Sequence, residues 1–282
     1  MDKELVDPFI KNALAEDVGD GDHTSLATIL PGTQGKARLI VKDTGILAGV
    51  ELAVEICHIV DPELKVEIFL QDGASVKPGD IAFNLEGSVH SILKAERLIL
   101  NCMQRMSGIA TRTNQIVKML AGTGTKVLDT RKTTPGVRYL EKWAVKIGGG
   151  VNHRFGLYDM ILIKDNHVDY SGGISNAINN THQYLKEQNK DLQIEIEVRN
   201  LEELEEVLRV GGVDRILLDN FKPQVLQQAL AMNEGRYITE ASGGITIDNI
   251  MDYASAGVDY ISIGALTHSV NSLDLSLKAI KE

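Results

Sequence analysis

The chain has 282 residues, with 29 basic against 39 acidic side chains and a net charge of −10. That length suits two domains, or one large α/β domain with an extension. The acidic balance argues against nucleic acid or an anionic membrane as partner, and an aromatic content of 5% argues against a base-stacking platform.

The first segment, residues 6–18 (VDPFIKNALAEDV), spaces its apolar side chains as a helix does. It lacks the apolar core of a signal peptide. No uncharged apolar run approaches the ~20 residues of a membrane span. Cys57 and Cys102 have neither a CxxC partner nor metal-ligand spacing. Reduced thiols and a cytoplasmic location are the expectation.

Residues 35–50 (GKARLIVKDTGILAGV) and 64–73 (LKVEIFLQDG) read as strands, with a turn at VKPGD between apolar runs. Residues 90–122 read as a long helical region. A break is expected near Ser107–Gly108, because glycine costs ~1 kcal/mol in a helix interior.

From about residue 125 short apolar strands alternate with helices. The strands are KVLDT, MILIK, IEIEV, RILLD, YITEAS and YISIG. The alternation predicts a parallel sheet with helical crossovers. A spacing of roughly 20–25 residues fits a β/α barrel, with a doubly wound sheet as the alternative. No GxGxxG closes a strand and opens a helix, which argues against a dinucleotide site. The domains divide as 1–112 and 113–282.

The strand ends carry the chemistry. KVLD is followed by Arg131 and Lys132, MILI by Lys164, Asp165, Asn166 and His167. IEIEV holds Glu195 and Glu197, RILLD ends in Asp219 and Asn220, ITEAS in Glu240, Ser242, Gly243 and Gly244, and ISIG in Gly264. In a β/α barrel these ends converge on one face, where active sites sit. Each residue alone has a plainer reading: Arg131 as a surface cation, His153 as a structural histidine, Glu195 as a barrel-lining acid in an ion pair. Together they point to a site.

Between Asp129 and His167 seven basic side chains face four acidic ones, a local excess of three within an acidic chain. Arginine pairs with carboxylate or phosphate in bidentate fashion, so the expected ligand is polyanionic. EASGGIT and ISIGALT are small-residue turns after the last two strands, where barrels commonly seat a phosphate. Glu197 and Asp219, acids among cations, suit a divalent metal with its waters, ribose hydroxyls, or a developing positive charge. Transfer of a phosphorylated sugar is the implied chemistry.

The segments TRKTTPGVR, GGGVNHRFGLYDMILIKDNH, EVRNLEEL, ILLDNF, EASGGI and ISIGALTHS, with EDVGDGDHTS near the N-terminus, resemble the motif series of the quinolinate phosphoribosyltransferase family. The resemblance implies an incomplete β/α barrel preceded by a small α+β N-terminal domain, with the last helix returning to that domain. It implies a homodimer with sites between subunits, and a reaction joining quinolinate to phosphoribosyl pyrophosphate with Mg²⁺ and loss of CO₂. By the same resemblance Arg131, His153, Arg154 and Lys164 line the quinolinate pocket, and Arg105 enters the site of the partner subunit. Lys132 reaches the phosphoribosyl pyrophosphate, Glu197 and Asp219 face ribose and metal, and Ser242, Gly243, Gly244 and Gly264 seat the 5′-phosphate. Lys132, Lys164, Glu197 and Asp219 are then the catalytic candidates. Alternatives are a barrel enzyme on another phosphorylated substrate, including a nicotinate-using or molybdenum-associated relative of the same family, and a catalytically silent binding protein. The intact HRFGLYDMILIKDNH favours quinolinate.

Overall fold

A computed structural model describes residues 1–280. The chain divides into two compact units. The first comprises Met1–Gln115, Thr133–Gly149 and the chain from Leu266 onward; the second comprises Ile116–Lys132 and Gly150–Ala265.

The first unit opens with α1 (Lys3–Val18) and α2 (His23–Thr28), followed by β1 (Gln34–Val41), β2 (Gly45–Ile46) and α3 (Val50–Val60). Then come β3 (Lys65–Ile68), β4 (Ser75–Val76), β5 (Ile81–Ser88) and the long α4 (Val89–Met119). Asp2 and Asp22 cap the first two helices, each accepting a backbone N–H with its carboxylate. In β1, Ala37, Leu39 and Val41 are buried in alternation, the mark of a sheet with one covered face. Leu52, Ile56, Ile99 and Met103 add the buried helical side chains.

α4 is unbroken through Ser107–Gly108. The expected break does not occur because both residues serve packing. Ser107 Oγ accepts from the Ala48 N–H at 2.9 Å. A Cβ on Gly108 would run into the backbone carbonyl of Asn271. The glycine therefore answers a close backbone approach, and burial overrides its weak helix propensity.

The second unit is built on β6 (Lys126–Leu128), β7 (Ile161–Ile163), β8 (Ile194–Val198), β9 (Arg215–Asp219), β10 (Ile238–Ser242) and β11 (Tyr260–Ser262). Along the chain their crossovers include α5 (Arg138–Ile147, grouped with the first unit), α6 (Asp165–Ser171), α7 (Ile174–Glu187), α8 (Leu201–Val210), α9 (Pro223–Asn233) and α10 (Ile250–Ala254). α11 (Ala265–His268) follows β11, and β12 (Leu275–Ala279) ends the described chain. β12 pairs antiparallel with β1, giving the first unit the sheet order β12-β1-β5-β3. The terminal helix expected from sequence is thus a strand. Leu275 and Leu277 are buried with Ser276 between them less so, a period of two.

The parallel sheet runs β6-β11-β10-β9-β8-β7. Val151 adds a parallel bridge to Leu128 on the far side of β6. The ring is open between Val151 and β7, an incomplete barrel. Period-two alternation sorts its side chains. On β8, Ile194, Ile196 and Val198 share one face and Glu195 and Glu197 the other. The register sets Glu195 beside Arg215, Glu240 beside Leu217 and Tyr260, and Asp219 beside Ser242.

Gly108→Ala separates propensity from packing. Propensity alone predicts a gain of ~1 kcal/mol; the Asn271 carbonyl predicts a loss of ~1–3 kcal/mol. We expect the loss, read as a lower urea midpoint at unchanged slope.

Candidate active site

The polar face of the open barrel carries charge in two layers. At the carboxyl ends of the strands, Lys164 follows β7 directly and its Nζ donates to Glu197 Oε2 at 2.8 Å. Asp219, the last residue of β9, accepts from Asn220 Nδ2 at 2.6 Å. Burial raises the Asp219 pKa, and the negative charge of Glu197 raises it further. Two carboxylates close enough to repel, with a lysine beside them, fit a divalent cation such as Mg²⁺. The repulsion left on Asp219 is what a further cation would relieve.

Asn220 adopts the left-handed conformation at φ 57°, and its N–H donates to Ser242 O at 2.8 Å. A Cβ on Gly243 would collide with the Asn220 side chain, so this turn requires glycine. Gly244 follows with φ 63°, and Asn249 Nδ2 donates to its carbonyl at 3.2 Å. The helices beyond β10 and β11 are short, with five and four residues. Ser242 thus ends its strand, and Gly243, Gly244 and Gly264 lie in turns just past strand ends.

Past β6 the chain leaves the pleat at once. Asp129 is fully buried, and its Oδ1 accepts from the His153 backbone N–H at 2.8 Å. The Lys132 N–H donates to Thr130 Oγ1 at 3.0 Å. Thr134–Val137 then close a turn with Pro135 and Gly136 at its centre and Val137 N–H to Thr134 O at 3.3 Å. Arg131 and Lys132 are therefore loop residues, free of the strict alternation of a strand. Burial holds the Arg154 pKa below the usual arginine range, and the positive charge of Arg131 pushes the same way. The two arginines are electrostatic neighbours. Arg154 Nη1 also donates to Met160 O at 3.2 Å.

The deeper layer is a buried ion cluster. His153 Nε2 lies 2.9 Å from Glu195 Oε2 and 3.4 Å from Glu240 Oε2. Arg215 reaches Glu240 at 3.3 Å and Glu195 at 3.9 Å, and stacks over the Tyr260 ring at 4.7 Å. Burial lowers the His153 pKa, but the two carboxylates outweigh it and lift the value to about 9. Burial and the neighbouring Glu240 charge push Glu195 up to about 7. Burial acts upward on Glu240 too, but His153 and Arg215 bring it below the usual range. His153 Nδ1 also accepts from the Arg154 N–H at 2.7 Å. A second ring proton would displace that bond, so the Nδ1 contact belongs to the neutral ring, the form that the two carboxylates disfavour. His153, Glu195 and Glu240 bring ligand-type atoms within 4.8 Å of one another. Arg215 already supplies the compensating cation there, so the cluster suits an ion network better than a metal.

Arg105 lies in the first unit, on α4. Its Nε donates to Glu141 Oε1 at 2.8 Å, and its Nη2 to Thr134 Oγ1 at 2.9 Å and Thr267 O at 3.0 Å. Glu141, Arg215 and Glu240 take part in these arrangements and were not singled out as site residues from sequence. Glu240 was visible as a strand-end acid. Arg215 opens its strand, where a charge reads as loop, and Glu141 lies within a helix.

Residues 109–278 match the quinolinate phosphoribosyl transferase C-terminal domain, and residues 22–107 the N-terminal domain of the same enzyme. The chain belongs to the quinolinate phosphoribosyltransferase family. It is 46% identical to an Arabidopsis thaliana nicotinate-nucleotide pyrophosphorylase [carboxylating], over 95% of this chain and 81% of that one. A probable enzyme of the same name from Bacillus subtilis is 41% identical, over 98% and 92%. The solved nicotinate-nucleotide pyrophosphorylase from Francisella tularensis superposes with a TM-score of 0.93 at 37% identity, covering 99% and 98% of the two chains. A human nicotinic acid phosphoribosyltransferase, 13% identical with a TM-score of 0.61, shares the fold alone. Family membership gives the strand-end cations and carboxylates a common frame.

Asp219→Asn should separate function from stability. A carboxyl whose pKa is raised on folding binds more protons folded than unfolded, so its contribution falls as pH rises through that window. At pH 7 the substitution is expected to raise the denaturation midpoint. The gain should shrink toward about pH 4, where the ordinary aspartate protonates. Turnover should fall about 10²-fold or more. Denaturation and rate measurements on one preparation check both.

Proposed function

We propose that the chain transfers the phosphoribosyl group of phosphoribosyl pyrophosphate to the ring nitrogen of quinolinate, with decarboxylation, yielding nicotinate mononucleotide, pyrophosphate and CO₂, a step of NAD biosynthesis. The observation that carries this reading is the grouping of Arg131 with Arg154 and of Lys164 with Glu197 and Asp219 at strand ends, in a chain of this family.

Quinolinate carries two adjacent carboxylates, which calls for several cations in one pocket. Arg131, Arg154 and Lys164 supply them, with His153 beside Arg154. Lys132 and the turns at Ser242, Gly243, Gly244 and Gly264 take the phosphates. Departure of pyrophosphate leaves positive charge on the ribose. Glu197 and Asp219 stabilise that charge more in the transition state than in the ground state. The ring nitrogen attacks and becomes cationic. The C2–carboxylate bond then breaks to give CO₂, the pyridinium holds the electron pair at C2, and a proton takes the vacated position. No side chain forms a covalent intermediate; positioning and electrostatics supply the rate. Glu197 and Asp219 would hold Mg²⁺, directly or through water. When bound, the ion neutralises charge on the pyrophosphate group.

We place Arg105 in the site of the partner subunit of a homodimer. Its guanidinium, pinned by Glu141 and Thr134 with a third of its side chain exposed, is presented as a fixed cation. The two buried, unpaired cysteines fit a cytoplasmic location.

Given phosphoribosyl pyrophosphate and Mg²⁺, the protein is expected to release CO₂ and form the mononucleotide with quinolinate. Nicotinate should be used at least ~100-fold less efficiently. Turnover of nicotinate in preference would overturn the assignment.

Arg105→Ala and Lys164→Ala chains should each be inactive. In randomly mixed dimers one site in four escapes both changes if Arg105 acts across the interface, restoring about a quarter of wild-type activity. No recovery in verified mixed dimers would place Arg105 elsewhere.

A further inference from the structure

We propose that Glu195, Glu240 and Arg215 are positioning residues: they form a buried ion frame that fixes His153, and through His153 holds Arg131 and Arg154 side by side in the quinolinate pocket. The proposal rests on the reading of that pocket given above.

The frame's geometry is closed. The Glu195 and Glu240 side chains are at most 1% exposed, His153 7% and Arg215 16%. Charges so far from water persist only when paired. Neither oxygen of Glu195 receives a well-aligned hydrogen bond; the acid stands between His153 Nε2 at 2.9 Å and Arg215 at 3.9 Å. Glu240 stands between the same two partners from the next-but-one strand. Arg215 is itself clamped by the Tyr260 ring. Three neighbouring strands and β11 thus contribute one side chain each, and all are rigid sheet positions.

His153 is the junction between frame and pocket. Its backbone N–H donates to Asp129 Oδ1, two residues before Arg131. Its ring Nδ1 accepts from the N–H of Arg154. Its ring Nε2 anchors on the frame. One residue therefore ties both arginine-bearing loops to the sheet. The tie has something to oppose. Arg131 and Arg154 repel each other, and Arg154 lies on a segment, 152–160, without strand pairing of its own. Two like charges that must grip one small dianion need a support that keeps them together before it arrives.

The test compares Michaelis constants for the two substrates in folded variants. Glu240→Gln and Arg215→Met are expected to raise KM for quinolinate about tenfold or more, because small displacements of binding groups are costly. KM for phosphoribosyl pyrophosphate should stay within about twofold. Arg215→Lys should retain more quinolinate affinity than Arg215→Met. The double variant Glu240→Gln/Arg215→Met removes one buried acid with one buried cation, leaving the net charge of the interior unchanged; it provides the same readout where a single variant loses its fold. Unchanged quinolinate KM in a folded variant overturns the proposal. So does a parallel loss for both substrates, which marks a merely structural role. Arg154→Ala is the control. If it leaves quinolinate KM unchanged, the pocket reading fails and takes the frame with it. If Arg154→Ala raises that KM and the frame variants do not, the frame alone fails.

Discussion

A carboxylate removed from water must find a cation, and this requirement organises the second unit. β8 places two glutamates on the same face, two residues apart, with all five strand positions buried. Strand geometry sets them roughly 6–7 Å apart along the sheet. Each finds a separate partner set: Glu195 meets His153 and Arg215, Glu197 meets Lys164. One five-residue strand thereby defines a deep layer that is closed and an upper layer that is open to ligand. Glu197, nearer the carboxyl end, keeps a partner that is itself nearly half exposed, so this pair can be remade when a substrate arrives.

The upper layer is held in an unfavourable arrangement. Asp219 is half-buried near Glu197, and Arg131 stands near Arg154. Like charges side by side reduce stability when the chain is empty and strengthen binding of a ligand that carries the opposite charge. On the function proposed above, a dianionic pyridine between the two arginines, and a cationic ribose or metal beside the two carboxylates, would each remove a repulsion. In the proposed reaction the ribose becomes cationic only as pyrophosphate departs. Carboxylates already in place then need no reorganisation at that moment.

Much of this was legible in the sequence because apolar runs and crossover helices have distinct periods. The six barrel strands follow from the alternation of KVLDT through YISIG, and the residues at their ends follow from the polarity of parallel strands. The turn at Thr134–Val137 lies where proline and glycine put it. What sequence could not supply was long-range. Gly108 reads as a helix breaker until Asn271 is seen against it. Residues 275–279 alternate as a strand, but the strand that completes their pairing lies far away in sequence, at β1. Glu195 could be read as a barrel-lining acid in an ion pair, yet naming Arg215 and Glu240 as its neighbours required the register of three strands.

Arg131 and Lys132 show why register matters for function. Adjacent residues on a strand face opposite ways, so a strand could give only one of them to a site. β6 ends at Leu128, and Asp129 turns its carboxylate to the His153 backbone, which draws the following residues out of the pleat. The same hydrogen bond links the β6 loop to the loop bearing Arg154. Buried Asp129 thus releases two neighbouring cations from alternation and ties one of them to its counterpart on the adjoining loop beyond Val151. The acidic chain can concentrate positive charge at this one place because acids accompany the cations: Asp129, Glu195 and Glu240 hold His153, and Glu197 pairs with Lys164.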